Sequence, residues 1–189
     1  GEGVVKDLGE AVRLYTLAAD QGNADAQFNL GYMYYSGEGV VKDLGEAARL
    51  YTLAADQGQI DAATNLGYMY LNGHGVRKNV KEAFRLYRLA ADQGNADAQA
   101  SLGYMYHKGE GVVKDLGEAV RLYTLATDQG QIDAQTNLGC MYGIGQGVVK
   151  DLGEAARRLY GLAADQGNAD ANKIHHLISS RQTVTVDSS

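Results

Sequence analysis

Proline is absent from the 189 residues, cysteine occurs once, and no long apolar run is present. Each absence excludes something. A collagen-like fibre needs abundant Pro beside Gly at every third position, so that class is out. A lone Cys140 cannot build an internal disulfide framework or a Cys-rich zinc site. A helical membrane span needs about 18 consecutive apolar residues, and none is found. Acidic side chains outnumber basic ones, 23 to 17, which argues against bulk electrostatic binding to nucleic acid. The chain opens on Gly1 with neither Met nor a signal-peptide pattern, so a trimmed or processed array is the expectation.

What is there is glycine and tyrosine. Gly numbers 25 and Tyr 13, and hydrophobic residues make up 45%. Average usage would give about 13 Gly. The apolar content argues against disorder, so the glycine excess needs positions of its own.

Self-comparison supplies them. The run from Gly1 to Leu8, GEGVVKDL, returns at Gly37 and Gly109, with variants at Gly73 and Gly145. LY, then LAADQG, then DA recur inside each unit, and LGYMY closes most of them. The period is 36, giving units 1–36, 37–72, 73–108, 109–144 and 145–180, with a tail at 181–189. One domain over 1–180 and a disordered or appended tail are expected.

Each unit reads as two helices. Asp7 is a candidate N-cap with Glu10 three residues later, the spacing of a capping box. The pair recurs as Asp43/Glu46, Asn79/Glu82, Asp115/Glu118 and Asp151/Glu154. Leu8, Ala11, Leu14, Tyr15 and Ala18 form one helical stripe. Gly22 then supplies a left-handed stop. A second helix follows from about Ala24 to Tyr35, with Ala26, Leu30, Met33 and Tyr34 on its stripe. Gly31, Gly67, Gly103 and Gly139 fall mid-helix, where Gly costs about 1 kcal/mol against Ala. A neighbour crossing at close range would explain them. One hairpin cannot bury its apolar face alone, so the units are expected to stack into an all-α solenoid.

These motifs, read together as GxGVxKDxxEAxxLYxxAADQGxxDAQxxLGYMY, resemble the Sel-1-like repeat (SLR) family, relatives of the tetratricopeptide repeats. The resemblance covers residues 1 to about 172. It implies a right-handed αα-superhelix and an adaptor role in protein complexes, as in degradation, cell-wall control and bacterial signalling. There are departures. Leu14 and its equivalents stand where the family often has Trp, and Val5 where it often has Pro. The Cys pairs of a penicillin-binding, cysteine-rich subgroup are missing.

The candidate sites follow from repetition. No nucleophile elbow, HExxH or P-loop occurs, and five similar environments do not make one asymmetric catalytic centre. No catalytic activity, cofactor, metal site, nucleic-acid partner or membrane insertion is expected. With Tyr15 facing inward, Arg13 and Leu17 point away at 100° per residue. This gives an Arg column (Arg13, Arg49, Arg85, Arg121, then Arg157 or Arg158) and a Leu column (Leu17, Leu53, Leu89, Leu125, Leu162). Such columns would line a concave groove that holds a protein or peptide segment. The competing reading pairs each Arg with the Glu three residues before it and packs each Leu between first helices.

Residues 73–108 depart most from the others. They hold six basic side chains (Arg77, Lys78, Lys81, Arg85, Arg88, Lys108) and three acidic ones (Glu82, Asp92, Asp97), a balance of +3. Units 1–36, 37–72 and 109–144 each hold two basic and five acidic residues, a balance of −3. Lys81, Arg85 and Arg88, with Phe84 as an apolar floor, would hold an acidic or C-terminal-carboxylate ligand; the competing reading is ordinary drift in one repeat. An aromatic patch of Phe28, Tyr32 and Tyr35 is expected to be exposed, either as the scar of a missing neighbouring unit or as a contact face. Unit five carries one extra residue near Arg157 and Arg158, and His175/His176 replace its LGYMY, which reads as a polar end cap. Two functional alternatives stand beside the adaptor. One is a regulatory repeat module cut from a longer protein, positioning an attached catalytic or membrane domain. The other is a hydrolase of the cysteine-rich SLR type.

Overall fold

The computed structural model describes residues 7–148. Among them are eight α-helices and no strand: α1 (Leu8–Asp20), α2 (Ala24–Ser36), α3 (Leu44–Asp56), α4 (Ile60–Asn72), α5 (Val80–Asp92), α6 (Ala96–Lys108), α7 (Leu116–Asp128) and α8 (Ile132–Ile144). They fall into two compact units that divide between Asn95 and Ala96. Unit-five residues Asp151, Glu154, Arg157, Arg158, Leu162, His175 and His176, and the tail, lie outside the described residues.

In the first unit, α1 to α5, helix starts follow the sequence. The Asp7 carboxylate accepts the Glu10 N–H at 3.0 Å. Asp43 does the same for Glu46 at 3.0 Å, and the Asn79 amide for Glu82 at 3.2 Å. Each cap satisfies one donor that the first helical turn leaves open. The return half of the capping box does not form. Each Glu turns to an Arg instead, and other groups take the cap N–H. Asp43 N–H donates to the Tyr34 carbonyl at 3.0 Å, and Asn79 N–H to that of Tyr70 at 2.9 Å. The end of each second helix thus holds the start of the next first helix. At the other end of α1, Gly22 takes φ +87°, and Asn23 N–H reaches back to Ala18 O at 3.1 Å. That is a left-handed stop with its carbonyls satisfied.

Packing turns on small residues. Ala47, Leu50, Tyr51 and Ala54 of α3 are buried. The Tyr51 ring lies on Gly31 of α2, where an added Cβ would come within 3.0 Å of it. Tyr87 of α5 lies on Gly67 of α4 in the same way, at 3.1 Å. Full burial of side chains this large is worth about 1.5–3 kcal/mol each. Leu14 is an exception to the stripe. It is 51% exposed, whereas Leu50 and Leu86 are 2%. Leu50 packs onto α2 beside Gly31, and Leu14 meets no equivalent helix among the described residues. A polar link completes the unit. Buried Gln27 donates to Ala19 O at 3.2 Å and accepts from Gln57 Nε2 at 2.7 Å. Helix α2 is thereby tied to the ends of both α1 and α3.

The second unit, α6 to α8, repeats the plan. Its core holds Ala100, Ala119, Tyr123, Ala126, Ala134, Leu138 and Met141. Gly103 carries the Tyr123 ring, again with 3.0 Å to an added Cβ, and Gln129 donates to Gln99 at 2.8 Å. Gly117, in the first turn of α7, differs from Gly103. An added Cβ there meets only the Asp115 carboxylate oxygen, at 3.4 Å. Gly117→Ala is therefore expected to stabilise the protein by about 0.5–1 kcal/mol, which thermal melts would show as a rise of about 1–4 °C.

Candidate interaction site

The four Arg positions of the column among the described residues bear ion pairs. Arg13 holds Glu10 through two hydrogen bonds of 2.9 and 2.7 Å. Arg49 holds Glu46 at 2.8 and 2.6 Å, Arg85 holds Glu82 at 2.9 and 2.6 Å, and Arg121 holds Glu118 at 2.8 and 2.6 Å. The hydrogen bond from Arg13 pulls the Glu10 carboxyl below its ordinary pKa. Asp20 of α1 also faces Arg49, and Asp56 of α3 faces Arg85; the hydrogen bond to each helix's own Glu remains the main cause of the raised Arg pKa. These pairs are solvent-exposed, so they add little stability. They do fix the guanidinium planes in one orientation. The paired arrangement is what the i,i+3 spacing allows.

The Leu positions stand one turn further along the same helices. Leu17 is 49% exposed, Leu53 39% and Leu89 41% in the first unit, and Leu125 39% in the second. They are half-covered, and each lies four residues after an exposed Arg. Arg88 and Lys81 are exposed, and Phe84 is half-buried. Arg88 is held more loosely than Arg85: its Nε is 3.9 Å from Asp92. On α5, Lys81, Phe84 and Arg88 share one face at i, i+3 and i+7. In the turn before it, Arg77 and Lys78 line an open recess of about 590 Å³ with Tyr70, Val76 and Asn79. The sequence grouped Arg77 and Lys78 with the α5 cations by charge; the structure places these two in the turn before α5.

The aromatic patch matches expectation only at Tyr32, which is 50% exposed, while Tyr35 is half-buried. Phe28 is half-buried, its ring 5.9 Å from that of Tyr51. The patch faces the next helices of its own unit, because Gly31 draws Tyr51 across to it. Tyr32, Tyr35, Tyr51, Asn65 and Tyr68 line a small recess of about 100 Å³. Sequence reading missed it, since its residues come from three helices. His74 and Cys140 stand apart from each other in different units, and Cys140 is a half-buried free thiol. No group of three or more His, Cys, Asp or Glu among the described residues could hold a metal ion. No described helix is long and apolar enough to cross a membrane.

The family follows from the repeat itself. Five Sel1 repeats match the sequence, at residues 1–23, 24–59, 60–95, 96–131 and 132–168. The chain belongs to the Sel1 repeat family. Each complete repeat in that frame begins at a second helix, so it pairs α2 with α3, α4 with α5 and α6 with α7. No curated protein matches the sequence. Among solved structures, a Sel1 repeat protein from Oxalobacter formigenes is 41% identical, with a TM-score of 0.82, over 89% of this chain and 69% of that one. A protective antigen of uropathogenic Escherichia coli displaying an SLR fold is 38% identical, with a TM-score of 0.84, over 90% of this chain. This chain spans 36% of that antigen's length. Cysteine-rich protein B of Helicobacter pylori is 26% identical, with a TM-score of 0.55, over 70% of this chain and 95% of that one. Sel1 repeat proteins are generally protein-interaction scaffolds and typically non-catalytic.

Proposed function

We infer that this chain is a non-catalytic adaptor that binds an acidic or C-terminal peptide segment on the exposed face of α5 and its preceding turn. The basic concentration on α5 carries the reading. Lys81, Arg85 and Arg88 lie within two turns of one helix, and Arg77 and Lys78 precede it. Helices α3 and α7 offer Gly45 and Thr52, or Gly117 and Thr124, where α5 has Lys81 and Arg88. Arg88, in a loose contact with Asp92, can be drawn to an incoming carboxylate at small cost. Arg85 is already oriented by Glu82, so its remaining edge meets a ligand without a search for geometry. Half-exposed Leu89 and Phe84 would add apolar contact, and Leu53 with Arg49 on α3 and Leu17 with Arg13 on α1 would extend the surface. Arg121 and Leu125 offer the same chemistry in the second unit.

A fluorescein-labelled acidic peptide with a free C-terminus tests this by anisotropy. Arg85→Glu/Arg88→Glu should weaken binding at least about tenfold, as expected for losing two charge-assisted contacts. Helical circular dichroism should stay near its original value. Binding at the original affinity by the double variant would remove this face from consideration.

A further inference from the structure

We propose that the open face of α1 is a second docking site, one that takes a glycine-centred helix from another repeat protein. The face consists of Ala11, Leu14, Tyr15 and Ala18, spaced three and four apart on one side of the helix. Their equivalents on α3, which are Ala47, Leu50, Tyr51 and Ala54, are all buried, and so are those on α5. In the second unit α7 buries the same four positions. On α1 none of the four is buried. Leu14 is 51% exposed, and Ala11, Tyr15 and Ala18 are half-covered. The difference lies in the helix before. Helix α3 packs on α2 and α5 on α4, and no described helix takes that place against α1.

The other helices define what such a face grips. A Cβ added at Gly31 of α2 would stand 3.0 Å from the Tyr51 ring and 3.4 Å from the Leu50 Cβ. Gly103 meets Tyr123 and Leu122 at the same two distances in the second unit. Tyr15 and Leu14 therefore call for a helix with Gly at the crossing, since a Cβ there would hold it off. Two polar groups refine the fit. Gln57 Nε2 donates to Leu53 O and also to Gln27, four residues before Gly31. Gln129 does the same with Leu125 O and Gln99, four residues before Gly103. On α1, Gln21 Nε2 donates to Leu17 O at 2.9 Å, and its other N–H has no acceptor among the described residues. The cap N–H groups of Asp43 and Asn79 donate to Tyr34 O and Tyr70 O, each three residues after the glycine. No described carbonyl takes the Asp7 N–H. The complement is a helix reading Gln-x-x-Leu-Gly-x-Met-Tyr. Helix α4 packs in this way with Ala63 in place of the Gln, so that side chain adds a bond to a fit made chiefly by the glycine.

This chain does not have such a helix to spare. Leu-Gly-x-Met occurs in α2, α4, α6 and α8 and nowhere else in the sequence. Its four glycines, Gly31, Gly67, Gly103 and Gly139, are already buried. Where the fifth unit would carry the pattern, it has Ile174, His175 and His176, and a His side chain at the crossing cannot accept a tyrosine ring at that range. A second copy would have to give up a packed helix to fill the face, so the occupant belongs to a different repeat protein. The site is apolar and lies on the side of α1 away from Arg13 and Leu17. It is independent of the basic face on α5.

The test uses the full chain and a fluorescein-labelled, amidated peptide with the sequence of residues 22–38, followed by anisotropy. Saturable binding is expected. The peptide should gain helicity as it binds, because a helix this short is marginal alone. Gly31→Leu in the peptide should weaken binding at least about tenfold, and so should Leu14→Glu in the chain. Leu14 is exposed, so the helical circular dichroism of the chain should stay the same. Arg85→Glu/Arg88→Glu should bind the peptide as the parent does. The proposal is overturned if the peptide at millimolar concentration does not bind. It is overturned too if either substitution leaves the affinity unchanged, or if the Arg reversal removes binding, since the peptide would then sit elsewhere. A Leu14-dependent dimer of the chain alone in sedimentation equilibrium would make a second copy the occupant and overturn it equally.

Discussion

Gly75→Ala is expected to destabilise the protein by about 2–5 kcal/mol, a combination of left-handed backbone strain and overlap. Gly75 sits in the turn after α4 at φ +68°, where a Cβ is disfavoured. A Cβ there would also run into the backbone carbonyl of Leu44 and stand 2.6 Å from the Leu44 Cβ. Backbone at the start of α3 cannot move aside without loosening its first turn. Thermal unfolding should shift down by about 5–15 °C on that scale. Gly58→Ala separates the two causes. Gly58 has φ +88° with nothing within 4 Å of an added Cβ, so it should cost only about 1–2 kcal/mol. Equal melts for the two variants would show that the contact with Leu44 carries no weight.

The second large effect is at Gly67. In Gly67→Leu the new side chain would occupy space held by Tyr87, whose ring carbons lie 3.1 Å from an added Cβ. Tyr87 is 2% exposed and has no room to swing out. Overpacking of this kind costs about 1–3 kcal/mol and sometimes more, against a helix-propensity gain of about 1 kcal/mol. A net loss of about 2 kcal/mol is expected from the larger end of that range. The cause can be checked with a double-mutant cycle. Tyr87→Ala alone opens a cavity at a cost of about 3–5 kcal/mol; combined with Gly67→Leu, part of each loss should be recovered. Strict additivity in denaturant melts would refute the close crossing.

Much of this was legible because each repeat states its own local rules. Asp7 and Glu10 fixed a helix start, Gly22 a stop, and Gly31 a close approach, since all three depend on residues within a few positions or on an evident propensity cost. What escaped depends on partners on neighbouring helices, 8 to 30 residues away. The capping spacing could not reveal that Tyr34 O would take the Asp43 N–H, although the i,i+3 spacing did offer the Glu46–Arg49 pair. The aromatic spacing of Phe28, Tyr32 and Tyr35 named a face but not its occupant, Tyr51. Buried Gln27 gave no signal, because its acceptor and donor lie on different helices. The candidate site was readable in composition, as the basic residues of 73–108, but not in geometry. The i,i+3 spacing offered the Arg85–Glu82 clamp, but charge counts could not say that Arg88 is loosely held.

The neighbour-to-neighbour packing also bears on how the chain acquires its structure. Within each unit, helices pack chiefly on those next to them in sequence. Forming a native contact therefore closes only a short loop, with a small entropic penalty. Low contact order goes with fast folding, and a repeat array can begin at any adjacent helix pair and grow outward. By the same logic α3, closed on both sides by α2 and α4, is among the last to exchange its amide protons.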